Sequence, residues 1–181
     1  MRILLPTLLL LPGCPLPTDD TGADPCVWTA TSTLPGATLT GGAADCRWTV
    51  AAADAGVDVP WTLTLTDAID VTVDTVQCAM VDESGLRFLE YVASDTEGRW
   101  CPRCDLGLCP IDKAVYTTTP GEWTSTFTWR PRPWDGPSDY GAEPGELWPP
   151  GAYRVVIEAE GTLAADGSAW ELRLEAPLTL E

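Results

Sequence analysis

The stretch that most limits how this chain can fold is Tyr153-Arg-Val-Val-Ile-Glu158, then Asp166-Gly167, then Trp170-Glu-Leu-Arg-Leu-Glu175. Tyr153, Val155 and Ile157 alternate with Arg154 and Glu158; Trp170, Leu172 and Leu174 alternate with Glu171, Arg173 and Glu175. A period of two places all the apolar side chains on one face of an extended strand. An Asp-Gly pair between two such runs predicts a β-hairpin. A hairpin with one apolar face is marginal in water by itself, so a second layer must cover it. Val156 breaks the alternation and predicts that the outer face is covered at that point as well.

The same period recurs upstream. Trp61-Thr-Leu-Thr-Leu-Thr66 and Ile69-Asp-Val-Thr-Val-Asp74 both alternate, with Asp67-Ala68 predicted as a tight turn or a bulge within one longer strand. Val76–Val81 and Leu86–Val92 are predicted as strands joined through the turn-forming Asp82-Glu-Ser-Gly85. Trp123, Ser125, Phe127 and Trp129 share one face, opposite Glu122, Thr124, Thr126 and Thr128, where the β-branch of Thr suits a pleated surface. No segment carries a helical period over a dozen residues. Eight or nine short strands punctuated by Gly and Pro predict an all-β, immunoglobulin-like two-sheet sandwich over residues 26–181.

The first residues, Met1-Arg-Ile-Leu-Leu-Pro-Thr-Leu-Leu-Leu-Leu-Pro-Gly-Cys14, set one basic residue before a short apolar run that closes on Leu11-Pro-Gly-Cys14. This resembles a bacterial lipoprotein signal. The resemblance implies removal of residues 1–13, acyl chains such as palmitate on Cys14, and a membrane anchor in the cell envelope. The outer membrane is the expected site, with the domain periplasmic or surface-exposed. Several acyl chains anchor stably where one is marginal. Residues 14–25, polar and Pro-rich, read as a flexible tether.

The sequence holds seven cysteines. With Cys14 assigned to lipid, Cys26, Cys46, Cys78, Cys101, Cys104 and Cys109 remain, an even set that in an exported chain implies disulfides. Six thiols allow 15 pairings. Our reading joins Cys26 to Cys46, and Cys78 to one of Cys101, Cys104 and Cys109. The Cys101-x-x-Cys104 spacing also fits a metal knuckle or a redox pair, but an oxidising compartment favours the disulfide.

Charge and composition narrow the function. Ten basic against 27 acidic residues give a net charge of −17, which repels nucleic acid. The chain contains no histidine, which removes imidazole-based triads and most catalytic zinc sites. No cofactor or metal is expected, and a non-catalytic role follows as the expectation.

A second resemblance lies in Pro120-Gly-Glu122, Trp134-Asp-Gly136 and Pro150-Gly-Ala-Tyr-Arg-Val-Val156. This run is similar to a recurrent bacterial immunoglobulin-like pattern. Flagellar hook-capping domains and intracellular proteinase inhibitors look alike at these positions. The resemblance implies fold, with an inhibitor or adhesin role as an alternative through Trp129–Pro149. That segment holds the candidate binding aromatics Trp129, Trp134, Tyr140 and Trp148. It opens on Trp129-Arg-Pro-Arg-Pro-Trp134, read either as a ridge for a protein or glycan or as a stiff connection with its Trp rings in the core. Asp135, Asp139, Glu143 and Glu146 raise the further alternative of a carboxylate-dependent hydrolase. The reading as a whole is an envelope lipoprotein carrying a binding or structural module.

Overall fold

A computed structural model describes residues 26–76, 81–105, 111–136 and 143–181. In chain order the elements are β1 (Thr29–Ser32), β2 (Ala37–Gly41), β3 (Arg47–Trp48), α1 (Val50–Asp54), β4 (Val57–Leu65), β5 (Asp70–Val76), β6 (Leu89–Ser94) and β7 (Gly98–Cys101). They continue with β8 (Ile111–Thr117), β9 (Gly121–Trp129), β10 (Trp134–Asp135), β11 (Gly151–Leu163) and β12 (Ala169–Leu180). Nine strands form one sheet, along the path β1-β12-β11-β6-β7-β10 with β3 on β12 and with β5 joining β11 to β8. The other three form a second sheet in the order β2-β4-β9. The fold is an all-β two-sheet sandwich held by disulfides, as the alternation requires.

The β11–β12 hairpin is the spine of the large sheet, in register from Gly151 opposite Leu180 to Thr162 opposite Ala169. Every second residue of β12, from Trp170 through Leu180, is buried. The hairpin turns at Asp166-Gly167. Asp166 accepts from the backbone and hydroxyl of Ser168 at 2.9 and 2.6 Å, and Gly167 takes φ +74°, where a side chain is costly. These bonds hold the Asp166 carboxyl below its usual range. Val156 is 1% exposed on the outer face, with Tyr91 and Glu175 as its cross-strand neighbours. The Arg173 guanidinium spans Glu158 and Glu175 on that same face.

The second layer comes from β4 and β9, paired from Val57 opposite Trp129 to Leu65 opposite Gly121. Val57, Val59, Trp61, Leu63 and Leu65 are buried, as are Phe127 and Trp129. A buried polar bond spans the layers: Trp61 Nε1 donates to the Glu90 side chain at 2.7 Å. The Trp61 ring also lies 4.6 Å from that of Phe88.

Two sequence expectations are corrected. Asp67-Ala68 is neither a hairpin turn nor a bulge: β4 lies in the small sheet and β5 in the large one, so the chain changes layers there. The turn at Asp82–Gly85 forms, with Gly85 donating to Asp82 and Asp82 to Leu86, yet the strand after it begins at Leu89 rather than Leu86. That strand pairs with β11 and β7; of the predicted Val76–Val81 arm, Val76 closes β5, which pairs with β8 and β11, and residues 77–80 lie outside the described residues. The β signal is also interrupted by α1. Thr49 caps this helix by accepting from Ala52 N at 3.2 Å, and the Ala51–Ala53 run has high helix propensity.

Cys26 is bonded to Cys46, as expected from the sequence, with Cα atoms 5.1 Å apart. Cys101 is bonded to Cys104, Cα atoms 5.4 Å apart, closing a small loop at the end of β7. Cys78 and Cys109 lie outside the described residues, as do Cys14 and Tyr140.

Candidate functional site

The segment leading to the site begins where β9 ends. Trp129 is completely buried and meets Trp48 edge-on at 6.1 Å, so its ring belongs to the core and is closed to any partner. The Arg-Pro-Arg-Pro connection then runs beside residues 145–148. Gly145 N donates to Pro133 O at 2.8 Å and Trp148 N to Pro131 O at 2.7 Å. Arg132 does not stack on a tryptophan. It makes a bidentate pair with Asp54 of α1 at 2.9 and 3.1 Å and donates to Gly145 O at 3.2 Å. That pairing holds the Asp54 carboxyl below its usual range.

Trp148 is also interior, 2% exposed. Its ring stacks on Tyr153 at 4.9 Å and 11°, and its Nε1 donates to Glu97 O at 3.0 Å. Tyr153 donates to Pro149 O at 2.7 Å, and burial raises the pKa of its phenol. Trp129 and Trp148 therefore drop out of the sequence-derived binding set as contact residues; they fix the connection instead.

Trp134 is placed differently. It opens β10, which runs parallel to β7, with Trp134 opposite Trp100 and Asp135 opposite Cys101. Its half-buried ring lies 4.6 Å from Trp100 at 42°. Gly136 follows because a Cβ there would fall 2.1 Å from the Trp134 ring. Asp135 receives a planar, two-point bond from Arg99, Nε to Oδ1 at 2.8 Å and Nη2 to Oδ2 at 2.9 Å, which tightens the guanidinium's hold on its proton. Trp134, Asp135, Arg99, Asp105, Ser94 and Glu143 line an open groove of about 720 Å³. The Cys101–Cys104 bond adjoins it, and Gly136 N donates to Cys101 O at 3.1 Å.

The groove gathers Trp134, Asp135 and Glu143 from the sequence candidates and adds Arg99, Ser94 and Asp105. Arg99 carried no local signal, because it reaches Asp135 only through the β7–β10 pairing. Chemically the groove sets the half-buried Trp134 ring, packed against Trp100 and Gly136, beside a rigid array of donors and acceptors. Asp135 is committed to Arg99, which suits recognition better than proton transfer. No protein-family model matches the chain, and no curated protein or solved structure matches it.

Proposed function

We propose that the chain is a lipid-anchored envelope protein, held through acyl groups on Cys14, that presents a non-catalytic binding module. The Trp134–Arg99–Asp135 groove is its binding face, and a weakly charged glycan of the envelope is its partner. The observation that carries this reading is the half-buried Trp134 ring set beside a pre-oriented Arg99–Asp135 pair. An aromatic ring offers a sugar apolar contact at little entropic cost, and fixed polar groups orient its hydroxyls. The net charge of −17 disfavours polyanionic glycans.

Two measurements test it. The intact mass of protein extracted from its own membranes is expected to include acyl chains and to lack residues 1–13; an unlipidated mass would remove the anchor. On an array of neutral and anionic envelope glycans, the native protein is expected to bind neutral or weakly charged members and to lose that binding in Trp134→Ala. Binding that survives Trp134→Ala would move the site elsewhere. Silence across the array, with capture of a protein partner, would favour the inhibitor or adhesin reading.

A further inference from the structure

The two edges of the small sheet are finished differently. On one side β2 is short and stops at Gly41, which with Gly42 takes φ +122° and +117°, outside the range of a regular strand. On the other side β9 runs nine residues in unbroken register with β4. Its sequence, Gly121-Glu-Trp-Thr-Ser-Thr-Phe-Thr-Trp129, contains none of the proline, lysine or bulges that usually guard a free edge. Among the described residues no strand pairs with its outer side.

The backbone groups on that side follow from the β2–β4 ladder. Gly42 N donates to Pro60 O at 2.7 Å and Thr66 N to Gly36 O at 2.9 Å, so the even-numbered residues of β4 bond toward β2. Neighbours along an antiparallel strand bond to opposite sides, so the odd-numbered ones bond toward β9. Their partners in β9 run from Gly121 to Trp129, again odd-numbered. Glu122, Thr124, Thr126 and Thr128 therefore aim N–H and C=O away from the sheet, and all four are exposed.

Charge makes this edge complementary to itself. Glu122 stands at its start and Arg130 just past its end, both exposed and neither in a salt bridge among the described residues. Arg130 also lowers the Asp54 pKa through space, but that carboxylate is bonded by Arg132. Pro131 holds Arg130 extended, so the two-residue period carries from Glu122 to Arg130 along one face.

We propose that β9 is a self-association edge, joining two copies of this chain antiparallel about Thr126 so that their small sheets merge into one. Thr126 then meets its own copy, and Thr124 of each chain faces Thr128 of the other. Glu122 faces Arg130 at both ends. Opposite charges and threonine pairs directly across a ladder are each favourable. A register that repeats under a twofold axis closes at two copies rather than running on as a fibre. A foreign strand would need both charges at the matching ends; a second copy brings them. The net charge of −17 on each chain opposes approach, but it is screened beyond about 8 Å at physiological ionic strength. This inference rests on neither the groove nor the acyl anchor.

The test is sedimentation equilibrium of the full chain at about 0.15 M salt, in density-matched detergent that keeps an acyl anchor dispersed. A concentration-dependent dimer is expected. Glu122→Arg and Arg130→Glu each set like charges opposite one another and should weaken it at least about tenfold; the double exchange should restore it. Thr126→Pro removes a donor that points away from β4, so the chain should fold and the dimer should be lost. A monomer at every concentration overturns the proposal, whether or not a foreign strand is found on β9. So does a dimer indifferent to either single exchange, or a double exchange that fails to recover it. Should Thr126→Pro fail to fold, the charge variants, all at exposed positions, decide alone.

Discussion

Arg99 in the groove and Arg87, between the Asp82–Gly85 turn and β6, are treated in opposite ways. Arg99 stands 47% exposed in its side chain and is satisfied by both oxygens of Asp135. Arg87 is more enclosed, desolvation lowers its pKa, and its Nε has no acceptor. A paired arginine at a surface is a fixture that orients its neighbours. An enclosed, unpaired donor is a cost carried by the fold.

The largest perturbation of this contrast is Trp170→Ala, which should cost about 3–5 kcal/mol in urea unfolding by emptying a buried site in the sheet. Trp170→Phe keeps most of the volume and removes a buried indole N–H that has no acceptor among the described residues. It should retain nearly all of that stability. Next comes Cys101→Ala combined with Cys104→Ala, expected to cost about 1.5 kcal/mol from the entropy of so short a loop. Hydrogen exchange at Gly136 and Trp134 should quicken while that at Gly161 does not.

A smaller effect tests the contrast most directly. Arg99→Leu is expected to lose about 0.2–1 kcal/mol, the range for exposed ion pairs. Arg87→Leu should be neutral or stabilising, since it deletes a buried donor that has no partner. Equal losses in both variants would erase the distinction drawn between the two sites. The smallest effect is electrostatic. Because Arg132 depresses the Asp54 carboxyl, their pairing stabilises the fold above the ordinary carboxylate pKa and fades as pH falls through the lowered value. Acid unfolding of Arg132→Gln should lack that component below about pH 4.

Much of the fold was legible in the sequence because one face of a sheet must be apolar. The alternation in Trp61–Thr66, in Trp123–Trp129 and across the Asp166-Gly167 hairpin was enough to place β4, β9, β11 and β12. Pairing partners were less legible. Nothing local to Asp67-Ala68 distinguishes a turn from a change of layer, since both need a polar, short segment between two alternating runs. Leu86 and Phe88 are buried without belonging to a strand, so their period misplaced the start of β6. The site was legible only in part. A tryptophan signals contact area but not its direction: of the ring-bearing candidates, Trp129 and Trp148 turned inward and Trp134 stayed at a rim. The approach of Arg87 and Trp170 to one cleft was not legible, because it exists only once β5 and β6 share an edge of β11.

The Cys26–Cys46 bond has a mechanical meaning as well. Tension applied upstream of Cys26 passes through sulfur directly to Cys46, so the loop it closes, with β1 and β2 inside it, carries no load. The force emerges beside β3, where Thr179 N bonds Cys46 O and Glu181 N bonds Trp48 O. A pull that would otherwise peel β1 from the sheet rung by rung is instead delivered to the longest hairpin in the molecule.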